Sequence, residues 1–215
     1  PFNHQQGVKA ILEVKDSLNG VLGVVSQILK PHDNYENAVS NAIGGALYYI
    51  VTEDEISARH AITYLKKNAS GRATFLPITV LKKRGIFKEH EIIAKNSVGY
   101  LGTANEFVDC DTAFEVVRDS LMGNVLVCDN LINANELART LHFNYKIVTL
   151  DGDVVHKGGS MSGGKVRDSY SPMSLQKELD QIHEKITHQQ VKTDKLRDDC
   201  SSLASRGEAL HRWYS

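Results

Sequence analysis

The sequence predicts a mixed α/β fold made of two related lobes and followed by a coiled-coil helix. An internal repeat predicts the lobes, because Gly20-Val21-Leu22-Gly23 recurs at an offset of 79 residues as Gly99-Tyr100-Leu101-Gly102. Apolar residues that recur every seven positions from Leu175 to Leu210 predict the coiled coil. Because the repeat has only two copies, it favours a pair of similar lobes over a solenoid.

Each copy of the repeat predicts the same order of elements. A glycine-flanked turn leads into a helix, at Tyr35–Ile43 in the first copy and at Phe114–Met122 in the second. After a further glycine come a short apolar strand, a helix with apolar residues at steps of three and four, and a closing strand. These three elements are predicted at Ala46–Val51, Glu55–Lys67 and Thr74–Leu76 in the first copy, and at Val125–Cys128, Ala134–His142 and Lys146–Leu150 in the second.

A glycine-rich segment extends the second copy. Asp151-Gly152-Asp153 lies between two apolar runs and predicts a hairpin turn. Two glycine pairs follow, Gly158-Gly159 and Gly163-Gly164. Glycine permits a positive φ and the close approach of another backbone, so these positions suit a surface where a second chain packs against the main chain. The alternative is a flexible linker between the globular part and the coil.

The same segment imitates a phosphate-binding loop. Residues Gly159 to Lys165 read GSMSGGK and match the start of the motif GxxxxGK. The next residue is Val166, where the motif needs a serine or threonine hydroxyl for magnesium, and Arg167–Ser171 is typical of a loop instead of a helix that faces a phosphate. Nucleotide binding is therefore disfavoured, and no cofactor is expected.

Composition gives little indication of a partner or a reaction. Hydrophobic residues make up 41% of the 215 residues, charged residues make up 24%, and the net charge is −1. The three cysteines are far apart and form no CxxC pair, so we expect reduced thiols and no zinc site. The sequence contains no GxSxG, HExxH or paired-carboxylate motif, so we expect no catalytic site.

The N-terminus and the hydropathy bear on the location of the protein. No apolar run approaches the roughly 18 residues that cross a membrane, and the first residues lack a signal-peptide pattern. We therefore expect a cytoplasmic protein with no membrane partner. The chain begins with Pro1 instead of methionine, so we also expect a fragment of a longer protein.

One long stretch is basic. Between Ile56 and Lys88 there are eight basic residues and no acidic ones, and Lys165 and Arg167 lie near the predicted start of the coil. Such clusters hold phosphate backbones without reading sequence, although they are also typical of an ordinary solvated surface. The eight residues are Arg59, Lys66, Lys67, Arg72, Lys82, Lys83, Arg84 and Lys88.

The C-terminal segment has a narrow apolar seam. Leucine and isoleucine dominate two series with alternating steps of four and three, and Pro172 marks the predicted start of the helix. Gln189, Thr193 and Gly207 interrupt the seam. We expect this helix either to fray beyond about Gln189 or to pair with the same tail of another molecule, since a seam of this kind is unstable alone.

These features together resemble the hinge domain of SMC (structural maintenance of chromosomes) proteins. The resemblance rests on GVKAIL at Gly7–Leu12, GRATFLP at Gly71–Pro77, and TLDGDVV at Thr149–Val155 leading into GGSMSGG. It covers about residues 7 to 166, and the GRATFLP and GGSMSGG stretches look most like the bacterial chromosome-partition members.

The resemblance implies an architecture and a partner. It implies the end of an ascending coil at 1–6, a first lobe at 7–98, a second lobe at 99–168 and a descending coil at 169–215. Family hinges form ring-shaped homodimers in which each first lobe meets the second lobe of the other chain, and Gly158, Gly159, Gly163 and Gly164 match the interface glycines. The descending coil is expected to pair antiparallel with an upstream helix of the same full-length chain.

The resemblance also implies a role on the chromosome. Family hinges contact DNA weakly and without sequence preference near the coil, which here points to Lys165 and Arg167, with Lys82, Lys83 and Arg84 added from the basic stretch. The hinge is expected to have no catalysis of its own, while the full-length, nucleoid-associated protein is expected to be an ATPase through its head domains. The alternative is a nucleotide- or metabolite-binding α/β domain whose coil is an oligomerisation tail.

Overall fold

A computed structural model describes residues 2–164 and 172–214 of the chain. The chain divides into two units, a globular unit of residues Pro1–Ser174 and a helical unit of residues Leu175–Ser215. The mixed α/β fold and the long C-terminal helix predicted from the sequence are confirmed. The predicted boundary between the lobes, at residues 98 and 99, lies inside the globular unit and stays a prediction.

The first lobe is built on a three-stranded sheet with the order β1-β3-β4. Strand β3 pairs antiparallel with β1 and parallel with β4. In chain order the elements are α1 (Phe2–Glu13), β1 (Val21–Val24), α2 (Val25–Ile28), β2 (Lys30–Pro31), α3 (Glu36–Ile43), β3 (Ile50–Thr52), α4 (Glu55–Lys67) and β4 (Phe75–Pro77).

The second lobe repeats this arrangement and extends it. Its sheet has the order β10-β9-β8-β7-β5, in which β7 pairs antiparallel with β5 and parallel with β8. Helix α5 (Lys88–Lys95) lies before the predicted boundary but packs on this lobe, because Ala94 belongs to the same buried cluster as Leu126. The elements after the boundary are β5 (Tyr100–Thr103), β6 (Val108–Asp109), α6 (Glu115–Met122), β7 (Val125–Cys128), α7 (Leu131–Thr140), β8 (Lys146–Thr149), β9 (Val154–Val155) and β10 (Met161–Ser162), and α8 (Pro172–Tyr214) follows. Strands β9 and β10 add a hairpin beside β8, which is the counterpart of β4.

The repeat is one of backbone conformation as well as sequence. Gly20 and Gly99 have φ of 78° and 76°, and Gly23 and Gly102 have φ of 149° and 150°. The register of β1 on β3 shifts before Gly23, and that of β5 on β7 shifts before Gly102. Both lobes therefore need glycine at the same two points of the first strand, since other residues rarely adopt these angles.

A local two-fold axis relates the two lobes. Strands β2 and β6 pair antiparallel, with Lys30 opposite Asp109 and Pro31 opposite Val108. The repeat offset of 79 makes Asp109 the counterpart of Lys30 and Val108 the counterpart of Leu29. An antiparallel pair of equivalent strands is what a two-fold axis between Lys30 and Asp109 produces.

The two lobes share one apolar core. Val39, Leu47 and Val51 of the first lobe belong to the same buried cluster as Met122 and Val148 of the second. The ring of Tyr35 stacks on that of Phe107 with centroids 4.0 Å apart. The lobes are therefore joined by packing as well as by the β2–β6 pair.

Two predicted elements differ from the structure by more than one residue, and local geometry explains where each begins. The strand predicted at Ala46–Val51 begins at Ile50, because Gly44 has a φ of 59° at the end of α3 and Gly44–Tyr48 form a 3₁₀ helix. The helix predicted at Ala134–His142 is Leu131–Thr140. It begins early because the side chain of Asn130 accepts a hydrogen bond from the amide of Asn133 at 2.9 Å, which caps the helix.

Candidate functional site

The first glycine pair shapes the turn between β9 and β10. Gly158 and Gly159 have φ of 89° and 99°, which other residues rarely adopt. The amide of Gly159 donates to the carbonyl of His156 at 2.9 Å, and the amide of His156 donates to the carbonyl of Ser160 at 2.7 Å. The shape of the turn therefore explains why both positions are glycine, without any contact with a partner chain.

The second glycine pair follows β10 and lies beside Asp153. A Cβ atom on Gly163 would sit 2.2 Å from Oδ1 of Asp153, and the amide of Gly164 donates to the same oxygen at 3.3 Å. Gly164 has a φ of 128°, and nothing lies within 4 Å of where its Cβ would be. The structure thus brings both predicted glycine pairs to the outer edge of the second sheet, and their role at an interface stays a prediction.

Strand β10 is the last strand of this sheet among the described residues. It pairs with β9 on one side, and the side chain of Met161 is 50% exposed. Unpaired main-chain groups on the outer strand of a sheet are a template for pairing with another chain. The outer strand of the first lobe is β4, the counterpart of β8. The edges that follow the parallel strand pair therefore differ between the lobes, β4 in the first and β10 in the second, while β1 and β5 are the opposite edges of the two sheets.

The segment that imitates a phosphate-binding loop contains this edge strand. Its central residues, Met161 and Ser162, are paired with Val155 and Val154 in an extended ladder. A phosphate loop instead curls around its anion so that consecutive amides point inward. The geometry of the described part of the motif is therefore that of a sheet edge.

The predicted basic residues differ in whether a neighbouring carboxylate already neutralises their charge. Lys82, Lys83 and Arg84 are all exposed. Nζ of Lys83 lies 3.0 Å from Oδ2 of Asp119 and so neutralises a carboxylate, whereas neither Lys82 nor Arg84 forms an ion pair with a described residue. Lys165 and Arg167 lie outside the described residues.

No pattern in the sequence indicates the cluster around Asp119. This carboxylate accepts hydrogen bonds from Nε of Arg118 at 2.9 Å and Nδ2 of Asn105 at 3.1 Å, in addition to its ion pair with Lys83. Burial raises the pKa of Asp119, but the hydrogen bonds from Arg118, Lys83 and Asn105 outweigh this effect and leave the pKa below its ordinary value. The amide of Arg84 donates to the backbone carbonyl of Asp119 at 3.1 Å. The cluster therefore fastens the segment 82–84, which leads from one lobe to the next, to helix α6.

A lysine of the second lobe caps a helix of the first. Nζ of Lys146, at the start of β8, donates to the carbonyls of Asn41 and Ala42 at the end of α3, the latter at 3.0 Å. Burial lowers the pKa of Lys146. A sequence pattern could not have indicated this contact, because its partners lie more than one hundred residues apart and the acceptors are main-chain atoms.

The comparison with known proteins decides the family. The family model for the flexible hinge domain of SMC proteins matches residues 18–138. This chain belongs to the SMC hinge family. The resemblance inferred from its sequence motifs is thereby confirmed.

Relatives and solved structures agree with this assignment. The hinge is 40% identical over 199 residues to the chromosome partition protein Smc of Bacillus subtilis, a match that covers 92% of this chain and 17% of that protein. A crystal structure described as an asymmetric dimer of the Geobacillus stearothermophilus SMC hinge domain is 41% identical, with a TM-score of 0.77 over 85% of this chain and 74% of that one. The Pyrococcus furiosus Smc hinge with an extended coiled coil is 27% identical, with a TM-score of 0.61 over 86% of this chain and 65% of that one. The hinge thus spans less than a fifth of the length of the B. subtilis relative.

Residues 2–164 and 172–214 contain neither a candidate metal site nor a candidate membrane-spanning helix. In these ranges no three or more histidine, cysteine, aspartate or glutamate side chains are grouped so that they could hold a metal ion. In the same ranges no helix is both long enough and apolar enough to cross a membrane.

Proposed function

We propose that this hinge forms a homodimer through its two sheet edges and so joins two coiled-coil arms of a chromosome-partition SMC protein. The proposal rests on a difference between the two sheets: only the second has extra strands on the outer side of its parallel strand pair. The second lobe covers the outer side of β8 with β9 and β10, whereas no described strand covers the outer side of β4 in the first lobe.

The two edges are suited to each other. Strand β10 of one protomer can add beside β4 of its partner, with main-chain hydrogen bonds that extend both sheets. A two-fold axis generates a second, identical contact between the other two lobes, and the two contacts close a ring of two chains. The G. stearothermophilus relative is described as an asymmetric dimer, which supports the association of two hinges but carries no argument for two identical contacts.

The helix α8 supports the second half of the proposal. Its side chains at seam positions are about half exposed or more, at Leu175, Leu179, Ile182, Ile186, Leu196 and Leu203. A seam of leucine and isoleucine at this spacing is typical of a coiled-coil strand that needs a partner helix. We propose that this partner is an antiparallel helix from the longer protein.

A charged residue on β10 tests the dimer. Lysine on an edge strand opposes the addition of another strand, so Met161→Lys should convert the dimer into a monomer at micromolar concentration. Ile132→Lys is the matched control, because Ile132 is an exposed apolar residue on helix α7 and not on a sheet edge. Sedimentation equilibrium on the 215-residue chain gives the mass of each variant.

A further variant separates the hinge from the coil. Ile186→Asp places a charge in the α8 seam and leaves both sheet edges intact. The proposal expects a dimer for the wild type, Ile132→Lys and Ile186→Asp, and a monomer for Met161→Lys. A dimer that survives Met161→Lys and is lost in Ile186→Asp would show that the coil holds the chains together, and would overturn the proposal.

Alanine at the four glycines is a less specific test. Gly158, Gly159 and Gly164 have positive φ, so alanine strains each of them even in the monomer. Alanine at Gly163 would displace the side chain of Asp153. We expect Gly158, Gly159, Gly163 and Gly164 to lie at the interface and the quadruple alanine variant to be monomeric, but Met161→Lys changes the edge with less disturbance of the turn.

We propose weak, sequence-independent contact with DNA as a second property of the hinge. Exposed Lys82 and Arg84 support it, and Lys165 and Arg167, which lie outside the described residues, are a second candidate pair from the sequence. Charge reversal at Lys82 and Arg84 should lower the retention of labelled duplex at low salt, and so should reversal at Lys165 and Arg167. If neither pair changes retention, the basic residues are only solvated surface. Lys83 is kept unchanged because it balances Asp119.

The parent protein is expected to hydrolyse ATP in head domains outside this chain and to act at the nucleoid. The hinge itself should therefore bind no ATP. Calorimetric titration of this chain with ATP and magnesium distinguishes the proposal from the alternative of a nucleotide-binding domain, since binding in the micromolar range supports only the latter.

A further inference from the structure

The β9–β10 hairpin is too short to fix its own shape. Each strand has two residues, and they form only two pairs, Met161 with Val155 and Ser162 with Val154. Strand β9 is held in the sheet by its pairing with β8, and Nε2 of His156 lies 2.8 Å from Oγ of Ser162 across the hairpin. The turn between these residues lies beyond both contacts, and the end of helix α7 provides a further contact there.

Phe143 makes that contact through both its main chain and its ring. Its carbonyl accepts a hydrogen bond from the amide of Gly158 at 3.0 Å. Its ring carbons lie 3.6–3.8 Å from the position that a Cβ on Gly159 would occupy, so the ring lies against the main chain of the turn. The other side of the residue is anchored, since its amide donates to the carbonyl of Ala138 at 2.7 Å and it packs on the core of the second lobe.

The backbone of Phe143 is in a conformation that phenylalanine rarely adopts. His142 and Phe143 are consecutive left-handed residues, with φ of 54° and 53°. Glycine or asparagine would adopt these angles at a smaller cost. A bulky ring at such a position indicates contacts that outweigh the strain, and this ring both packs on the core of the second lobe and lies against Gly159.

The first lobe provides an internal comparison. Helix α4 ends with one left-handed residue, Ala69, and the amide of Ser70 donates to the carbonyl of Leu65 at 3.1 Å. This is the same five-residue hydrogen bond that Phe143 makes to Ala138, so Ser70 is the counterpart of Phe143. Ser70 has no positive φ, and no described hairpin follows in the first lobe. The second left-handed residue and the aromatic ring thus occur only in the lobe that has the hairpin.

We infer that Phe143 is a positioning residue for the dimer: its ring and carbonyl hold the β9–β10 turn in the shape that presents β10 to the partner chain. The inference rests on the proposed function, because it assumes that β10 forms the dimer contact. Phe143 itself acts through Gly158 and Gly159 and need not touch the partner.

The first test is dimer affinity. Phe143→Ala should raise the dissociation constant of the dimer about tenfold or more in sedimentation equilibrium, because the free turn samples shapes that do not fit the partner. Phe143→Tyr keeps the ring and should stay within about twofold of the wild type. Phe143→Leu keeps most of the apolar volume without a flat ring, so it should also weaken the dimer, and it replaces Phe143→Ala if that variant does not fold.

A second measurement separates positioning from stability in general. In the monomeric Met161→Lys background, Phe143→Ala should speed amide hydrogen exchange in residues 156–162 more than elsewhere. Ile11→Val removes a methylene from a fully buried residue of the first lobe and is the control for lost stability. It should lower the melting temperature without raising the dissociation constant of the dimer.

The outcomes distinguish the inference from the proposal on which it rests. A wild-type chain that is monomeric overturns the proposed function. A dimeric wild type whose dissociation constant is unchanged in both Phe143→Ala and Phe143→Leu overturns only the role of Phe143. Equal weakening by Ile11→Val at a matched loss of melting temperature would also overturn it, since stability alone would then explain the effect.

Discussion

Replacing Asp119 with asparagine removes one negative charge from the junction of segment 82–84 with helix α6 while keeping the shape of the side chain. In the native protein this carboxylate faces Arg118, Lys83 and Asn105. The substituted amide could still accept one hydrogen bond, but two cations would lose the charge that balances them. We expect the folded state to lose stability without a change of fold.

The exposure of each partner sets the size of the loss. The Asp119 side chain is 11% exposed and that of Arg118 is 21% exposed, so their hydrogen bond is worth about 1.5–2 kcal/mol, in the lower part of the range for charged partners. The Lys83 side chain is 58% exposed and can be solvated by water, so its ion pair adds at most about 1 kcal/mol. Relief of the buried charge offsets part of this sum, which leaves a net loss of about 2 kcal/mol. For a globular unit of this size that lowers the melting temperature by about 4–8 °C.

The pH dependence has a definite sign. The pKa of Asp119 is lower in the folded state than in the unfolded state, where it is about 4. Its contribution to stability is therefore fully present above the unfolded pKa and is lost as the pH falls through the folded pKa. The difference in melting temperature between the wild type and Asp119→Asn should be constant from about pH 6 to 8 and should shrink below about pH 4.

Thermal denaturation followed by circular dichroism across this pH range is the assay. Glu115→Gln is the matched control, because Glu115 lies 3.9 Å from the same lysine on an exposed surface and should contribute less than about 0.5 kcal/mol. Equal melting temperatures for wild type and Asp119→Asn at neutral pH would refute the reasoning. So would a difference that persists unchanged at about pH 3, because the charge of Asp119 could not then be its cause.

Three further predictions concern packing, a buried lysine and the coil. Gly7→Ala should destabilise the hinge by about 1–3 kcal/mol, because the new Cβ would lie 2.1 Å from the carbonyl oxygen of Arg72. Gly85→Ala is the control, because a Cβ there meets open space and should change stability by less than about 0.5 kcal/mol. Equal melting temperatures for the two variants would contradict this prediction. Burial lowers the pKa of Lys146 in the folded state. The stability of the wild type should therefore rise as the pH increases from the folded pKa towards the unfolded pKa of about 10.4. Urea denaturation across this pH range measures the rise, which Lys146→Met should lack. The ellipticity of α8 should increase with protein concentration, since its exposed seam needs a partner helix, and full helicity that is independent of concentration would be evidence against that need.

The elements with a clear local signal could be predicted from the sequence. Helix α4 has its predicted bounds, because its apolar residues are periodic and Asp54 caps its start by accepting a hydrogen bond from the amide of Ser57 at 2.8 Å. The predicted hairpin turn at Asp151–Asp153 is confirmed, since β8 and β9 pair antiparallel across it. The predicted long helix is present, and Pro172 is the first of its residues that the structure describes; its start at Pro172 stays a prediction, based on the preference for proline in a first turn.

Elements that depend on distant contacts could not be predicted. Strands β2, β6 and β10 have two residues each, which is too short for any alternation of apolar and polar residues to be visible. Their existence depends on their neighbours, on the local two-fold axis for β2 and β6 and on the edge of β8 for the hairpin. The glycine pairs could be recognised as unusual, but the sequence does not show that Phe143, fifteen positions before Gly158, holds their turn.

The differences between the lobes are more informative about function than their similarities. The glycines at equivalent positions, the shifts of register and the β2–β6 pair all serve to build one chain from two copies of a fold. Two of the differences, the β9–β10 hairpin and the second left-handed residue at Phe143, lie towards the outer edge of the second lobe. If both lobes had the hairpin, or if neither had it, each chain would present two equivalent edges, and first lobes could meet first lobes as readily as second lobes. A hairpin in one lobe alone makes the edges β4 and β10 different, which is what the proposed contact between the first lobe of one chain and the second lobe of another requires. Removing the asymmetry, for example by deleting residues 156–162, should therefore abolish the closed dimer even though both lobes keep the strands that they share.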